Sequence, residues 1–296
     1  MWKMNAILFI LMMPISLGLA AAEPDLLTSA DLANFENPPA AARIHYGDGA
    51  LQFGDLRLPA GSGPHPVAVF VHGGCWLSAF DIAHSGRLTA ALARHGIATW
   101  SLEYRRVGDE GGGWPGTFQD VASGADHLAS IAKEYELDLN RVIFMGHSAG
   151  GQLAIWLVAR PQIPPGTAVS APNPQSALGV LALAPAPDLA GLHEQQVCGH
   201  VIDNLMGGSP AEYPDRYRLG DPMQISPGDV PQVLMIGAHD ADWAPTGLRY
   251  FRTATSRGDN VTLIKAPESG HFEMIDSDST SFAVVLAAAL SLLEGD

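Results

Sequence analysis

The chain has 296 residues, of which 47% are hydrophobic and 16% are charged. This composition is sufficient for a buried core and argues against intrinsic disorder. The formal net charge of −15 argues against a nucleic-acid partner and against attraction to anionic lipid surfaces.

The first 22 residues have the pattern of an export signal. Lys3 is the only charged residue before Glu23, residues 6–19 are apolar, and residues 20–22 are alanines that offer an A-x-A cleavage site. The apolar run is short for a membrane span, and acidic residues follow it instead of a basic stop signal. We therefore predict a signal peptide over 1–22, a periplasmic or secreted protein, and no membrane attachment after cleavage. The alternative is an uncleaved anchor.

The remaining chain divides into an arm over residues 23–43, with one short helix, and a single catalytic domain over residues 44–296. The apolar patterns predict a half-buried strand at 51–58 and buried strands at 67–71, 97–102, 142–145, 177–183, 233–236 and 261–264, with helices at 82–94, 117–135, 149–159, 248–256 and 281–293. This alternation predicts a mostly parallel sheet with helices on both faces. We expect the long connection 185–231 to place short helices over the strand ends.

The sequence around Ser148 carries the strongest chemical signal. Residues 146–150 read Gly-His-Ser-Ala-Gly, a G-x-S-x-G motif between a predicted strand and a predicted helix. In such a tight turn the serine hydroxyl stands above the sheet as a nucleophile. The amide of Ala149, at the start of the helix, is then directed at the developing negative charge.

A glycine-rich loop follows the strand 67–71 and reads His72-Gly-Gly-Cys-Trp76. A loop at this place, upstream of the serine, is typical of an oxyanion hole. We assign the oxyanion donors to the amides of Gly74 and Cys75, together with Ala149. For His72 we expect a structural hydrogen-bonding role and not that of the base.

The acid and the base are expected after the serine, in the order acid then histidine. Asp240 follows the strand 233–236, so its carboxylate is our candidate for the acid; Asp242 is the alternative. The candidate base is His271, which follows a glycine in the loop after the strand 261–264.

The cysteines and tryptophans give further candidates. Export would place Cys75 and Cys198 where disulfides persist, so we predict that they are bridged; two separate buried thiols are the alternative. Three tryptophans are candidate walls of a substrate pocket, although packing in the core or a loop is an equal alternative; they are Trp76, Trp114 and Trp243. The histidine and cysteine spacings fit no strong metal motif, and no P-loop is present, so no metal or cofactor is expected.

These motifs resemble those of the kynurenine-formamidase-like and hormone-sensitive-lipase-like carboxylesterases of the α/β-hydrolase superfamily. The resemblance runs from about Val67 to the C-terminus and rests on the residues 72–76, 103–106, 113–116, 146–151, 205–210, 240 and 270–273. His-Gly-Gly-x-Trp looks more like the formamidase-like branch, which also includes feruloyl and acetyl-xylan esterases. The resemblance implies an α/β-hydrolase fold and hydrolysis of small carboxylic esters by a Ser-His-Asp triad through an acyl-enzyme, with no cofactor.

Two other functions compete with this expectation. The first is an arylformamidase that acts on N-formylkynurenine; the predicted export argues against it, because that substrate is made in the cytoplasm. The second is a non-catalytic binding protein with the hydrolase fold. Such proteins usually lose a triad residue, whereas all three positions are filled here.

Overall fold

The computed structural model describes residues 25–295, so the predicted signal peptide at 1–22 lies outside the described residues. The described residues form an eight-stranded sheet. Its strands are β1 (Ala42–His45), β2 (Phe53–Arg57), β3 (His65–Val71), β4 (Ala98–Leu102), β5 (Leu137–His147), β6 (Gly179–Leu183), β7 (Gln232–Gly237) and β8 (Val261–Ala266).

The strands lie in the order β1-β2-β4-β3-β5-β6-β7-β8. The pairs β1–β2 and β2–β4 are antiparallel, while every neighbouring pair from β4 to β8 is parallel. The carboxyl ends of the parallel strands therefore share one edge of the sheet, which is where ligands bind in open α/β sheets. This architecture confirms the predicted α/β-hydrolase fold.

Helices cover both faces of the sheet. They are α1 (Ser29–Leu32), α2 (Gly86–Arg94), α3 (Gly116–Ile131), α4 (Ala149–Ala159), α5 (Leu189–Glu194), α6 (Val201–Met206), α7 (Pro214–Gly220), α8 (Ala244–Arg257) and α9 (Phe282–Glu294). The helices α3, α4 and α8 contribute to one hydrophobic cluster, and α2 and α9 contribute to the cluster on the opposite face. No helix among residues 25–295 has the length and apolar character needed to cross a membrane.

The strand β3 shows why its sequence is continuously apolar. Val67, Val69 and Val71 join the cluster on the α4 side, whereas Ala68 and Phe70 join the cluster on the α2 side. Because successive side chains of a strand point to opposite faces, a strand covered on both faces needs apolar residues at every position.

Two sequence predictions at the edge of the sheet were wrong. The strand β2, predicted to be half-buried, is buried along its whole length. One reason is that the N-terminal arm lies beside it, where Arg57 donates a hydrogen bond to the carbonyl of Pro38 at 3.1 Å. In addition, the strand β1 begins at Ala42, inside the segment predicted to be an arm.

Candidate active site

Ser148 occupies the sharp turn between β5 and α4. Its backbone has φ 55° and ψ −119°, a conformation that is uncommon for a residue with a side chain. The N–H of Ser148 donates to the carbonyl of Leu183 on β6 at 2.9 Å, which ties the turn to the neighbouring strand. Such a strained position persists only where the surroundings fix it. Ser148 therefore has the geometry of a nucleophile elbow.

Two glycines allow this turn to form. A Cβ atom at Gly146 would overlap the carbonyl of Gly150, and a Cβ atom at Gly150 would overlap the carbonyls of Val71 and His72. The first turn of α4 thus packs directly on the backbone at the end of β3. Only glycine fits at these positions, because any side chain would push the elbow and the β3 loop apart.

Asp240 and His271 meet on the loops that follow β7 and β8. The Nδ1–H of His271 donates to Oδ2 of Asp240 at 2.7 Å, and the other carboxylate oxygen accepts the N–H of Trp243 at 3.1 Å. The side chains of Asp240 and His271 are 3% and 11% exposed. Asp242, the alternative acid, is exposed. The structure therefore pairs His271 with Asp240 and leaves Nε2 of the imidazole as the nitrogen that can accept a proton.

Two further histidines, His84 and His147, form a hydrogen-bonded chain that ends at the backbone of His271. Nε2–H of His147 donates to the backbone carbonyl of His271 at 2.8 Å, and Nδ1 of His147 lies 2.8 Å from Nε2 of His84. Because a carbonyl oxygen only accepts, the proton of His147 is on Nε2, and His84 must be the donor to Nδ1. Since His147 immediately precedes Ser148, this chain connects the elbow to the loop that carries His271.

Both supporting histidines are held neutral. Burial lowers the pKa of His147 well below its ordinary value, and the nearby His271 and His84 lower it further. Burial, with the charges of His72 and His271, lowers the pKa of His84 to about 3. The chain is therefore a neutral hydrogen-bonded support and does not add positive charge beside the base.

The loop after β3 is anchored by a buried carboxylate. Glu103 lies 3.1 Å from Nε2 of His72 and 3.0 Å from Nη1 of Arg106, and its second oxygen accepts the N–H of Ile82 at 3.0 Å. Burial alone would raise the pKa of Glu103, but the hydrogen bond from His72 and the charges of His72 and Arg106 outweigh burial and lower the pKa. The expected structural role of His72 agrees with these contacts.

Unpaired amides line this loop. Among residues 25–295 the N–H groups of Gly74 and Cys75 have no hydrogen-bond partner. Ala149 is the first residue of α4, so its N–H has no partner within the helix. These three amides are the predicted oxyanion donors; Gly74 and Cys75 are half-buried and Ala149 is buried, and unpaired donors of this kind are free to bind a developing oxyanion.

The three tryptophans have different surroundings. Trp243 stacks on the imidazole of His271, with ring centroids 5.3 Å apart and an interplanar angle of 28°. Trp76 is only 1% exposed, because its indole N–H donates to Gln152 at 3.0 Å inside the protein. Trp114 packs edge-on against Phe118 at 5.1 Å. Of the three, Trp243 contacts the candidate base, and packing is the role that the contacts of Trp76 support; a pocket role for Trp114 and Trp243 stays a prediction.

Cys75 and Cys198 form a disulfide, with Cα atoms 6.4 Å apart. It connects the loop after β3 to the segment between α5 and α6. In the part of the chain that the structure describes, no group of three or more His, Cys, Asp or Glu residues is arranged to hold a metal ion.

Three supporting residues escaped the sequence-based assignment of roles. His147 lies inside the G-x-S-x-G motif, where a polar residue at the buried end of a strand is a usable signal. Glu103 was noted only as part of a motif. His84 lies on a short 3₁₀ turn, Ile82–Ser85, and the sequence offers no signal for it.

The chain is similar in sequence and in fold to proteins that are named as esterases. The BD-FAE family profile matches residues 55–245, more than half of the chain. An isoprenylcysteine alpha-carbonyl methylesterase of Arabidopsis thaliana is 33% identical over 112 residues, which are 38% of this chain and 26% of that protein. Esterase LipC of Mycobacterium tuberculosis is 24% identical over 252 residues, which are 80% of this chain and 61% of LipC. The chain therefore spans less than two thirds of these relatives.

The fold comparison agrees. The crystal structure of esterase B from Lactobacillus rhamnosis superimposes with a TM-score of 0.72 at 20% identity, and the match covers 90% of each chain. At this identity the likeness shows the fold alone.

Proposed function

We propose that this protein, which belongs to the BD-FAE family, is a serine carboxylesterase. It cleaves small carboxylic esters without a cofactor. The observation that carries the proposal is the hydrogen bond between His271 and Asp240, on a loop that His147, the residue before Ser148, contacts through the carbonyl of His271. An acid, a base and a nucleophile in this order and on these loops are what acyl transfer requires.

In the proposed mechanism, Nε2 of His271 takes the proton of Ser148 as the hydroxyl oxygen attacks the ester carbonyl. Asp240 keeps the other imidazole proton on Nδ1 and stabilises the imidazolium that forms. The imidazolium then protonates the leaving alcohol, and an acyl-enzyme remains. Water, activated by the same imidazole, releases the acid and restores the hydroxyl of Ser148.

The developing oxyanion is stabilised by the amides of Gly74, Cys75 and Ala149. Donors of this kind act without reorganisation, because they already point at the site where charge develops. Trp243 adds a second form of stabilisation, since an aromatic face attracts the imidazolium more strongly than the neutral imidazole. Both effects are larger in the transition state than in the ground state, which is the condition for raising kcat.

The formamidase-like branch and export complete the proposal. The His-Gly-Gly-x-Trp loop supports the branch. The apolar pattern of residues 1–22 supports export to the periplasm or the medium, and a disulfide is stable in such a compartment. N-terminal sequencing of protein recovered from the periplasm or medium of a bacterial host should begin near Glu23; protein found only in the cytoplasm with its first 22 residues intact would contradict export.

The central test is hydrolysis of p-nitrophenyl acetate by the mature protein and by Ser148→Ala. We expect turnover by the wild type and a loss of about 10⁶-fold in kcat in the variant. A fluorophosphonate should label Ser148 and no other residue. A screen of acyl lengths, acetylated sugars, feruloyl esters and formylkynurenine would then define the substrate. Undiminished activity in Ser148→Ala would refute the nucleophile assignment.

A further inference from the structure

The disulfide joins two loops that have unusual backbone conformations. Gly74, Cys75 and Trp76 are consecutive residues with φ of 110°, 51° and 55°. On the other side of the bond, Cys198 has φ 51° and lies between Gln196 and Gly199, which also have positive φ. Left-handed conformations of residues with side chains are unfavourable and persist only when neighbouring structure fixes them.

The residues around Cys75 have their own restraints. The carbonyl of Trp76 accepts the N–H of Val107 at 2.8 Å, and the carbonyl of Gly74 accepts the N–H of Leu77 at 2.9 Å. Cys75 is restrained mainly by its covalent bond to Cys198. Packing around its side chain is a weaker restraint, because Cys75 is only half-buried. The orientation of the Cys75 amide thus depends on a contact 123 residues away in sequence.

We propose that the Cys75–Cys198 disulfide is a positioning element of the oxyanion loop, so that opening it lowers kcat and leaves KM nearly unchanged. This inference rests on the proposed function. Without the bond, Cys75 is free to leave the left-handed region, and its N–H then turns away from the oxyanion. The substrate still binds to the rest of the site, but the transition state loses a donor.

The bond is accessible to a reductant, because Cys198 is exposed. A thiolate of dithiothreitol attacks the sulfur of Cys198 and forms a mixed disulfide, and the sulfur of Cys75 leaves as a thiolate that is then protonated. The second thiol of dithiothreitol displaces the sulfur of Cys198 and closes the oxidised ring. Overall, two electrons and two protons pass from the dithiol to the protein disulfide.

The experiment compares the oxidised wild type, the reduced wild type, Cys198→Ser and the matched control Gln196→Ser. Gln196 is exposed and has φ 52°, so its replacement disturbs the same loop while the disulfide remains. Rates with p-nitrophenyl acetate are divided by the concentration of sites that a fluorophosphonate labels. Removal of one oxyanion donor typically costs about 10²–10³ in kcat, so we expect a loss of about 10- to 100-fold for a displaced donor.

Support requires this loss in the reduced wild type and in Cys198→Ser, an unchanged KM, full activity in Gln196→Ser, and recovery when the reduced wild type is reoxidised. A kcat within twofold of the oxidised wild type would overturn the proposal. Two free thiols in the untreated protein would also overturn the proposal. Loss of the native circular-dichroism spectrum in both bridge-free proteins would overturn it as well, because the bond would then only maintain the fold. An inactive oxidised wild type that fluorophosphonate does not label would instead refute the proposed function.

Discussion

Replacement of Asp240 by asparagine tests the roles of the acid and the base together. In the structure one carboxylate oxygen accepts Nδ1–H of His271 at 2.7 Å, and the other accepts the N–H of Trp243 at 3.1 Å. Both neighbours are donors, so the side chain at position 240 must accept at both ends. An asparagine side chain has one acceptor oxygen and one donor amide group, and it cannot satisfy both neighbours.

Each orientation of the asparagine carries a defined defect. If the asparagine oxygen faces Trp243, the asparagine amide group faces Nδ1 of His271. The imidazole proton must then lie on Nε2, and Nε2 can no longer accept the proton of Ser148. If the oxygen faces His271 instead, two N–H groups oppose each other, and a buried donor without a partner costs about 1–3 kcal/mol. Because this unpaired donor is unfavourable, the asparagine should adopt the orientation in which its oxygen faces Trp243. We therefore expect kcat to fall by about 10⁴-fold, the effect of the wrong tautomer.

The measurement is the initial rate of p-nitrophenyl acetate hydrolysis at pH 8, with active sites counted by fluorophosphonate. Asp242→Asn is the matched control. Because Asp242 is exposed and only two residues away, its replacement should leave kcat within about twofold. If Asp240→Asn kept more than a tenth of wild-type kcat, or if Asp242→Asn lost as much, the assignment of the acid would be refuted.

Three further results are expected. Gly150→Ala should destabilise the protein by more than about 3 kcal/mol, because its Cβ would overlap two backbone carbonyls. Gly166→Ala should cost only about 1 kcal/mol, because Gly166 has φ 81° but open space around it. Urea unfolding measures the unfolding free energy of both variants. Trp243→Ala should lower kcat by about 2- to 30-fold, and Trp243→Phe should restore part of it, because the aromatic face stabilises the imidazolium; equal losses in both variants would contradict this role. The pKa of His84 is lowered to about 3, so the unfolded state binds more protons below about pH 6.5, and the unfolding free energy should fall as the pH is lowered from 6.5 towards 3. This slope should be shallower in His84→Asn, and an identical slope in both proteins would refute its origin.

The sequence was sufficient to predict the fold and to propose the candidate site residues, because both rest on local patterns. The strand β5, the elbow at Ser148 and the helix α4 are adjacent in the chain, and the glycines at 146 and 150 mark the close backbone approach. The parallel order of strands then brings the loops after β7 and β8 to the same edge. The pairing of His271 with Asp240 follows from that topology.

The contacts of the supporting residues could not be predicted from the sequence, although His147 carries a local signal, because these contacts depend on packing between distant elements. His84 lies 63 residues before His147, and no periodicity relates them. Trp76 is of a residue type that is common in pockets, yet its indole N–H donates to the buried Gln152, so its ring lies inside the protein.

The charges beneath the oxyanion loop connect these supporting contacts to catalysis. Nδ1 of His72 faces the carbonyl of Gly73 at 2.8 Å, so it must donate, and Nε2 faces the carboxylate of Glu103, whose pKa is lowered. Both groups that face the ring of His72 can accept hydrogen bonds, so the ring is held between the loop backbone and the buried carboxylate. Arg106 pairs with Glu103 at 3.0 Å and with Asp109 at 3.0 Å, so two carboxylates hold this guanidinium in place. These contacts fix the backbone of the loop after β3, and amides that are already fixed stabilise a developing oxyanion without reorganisation.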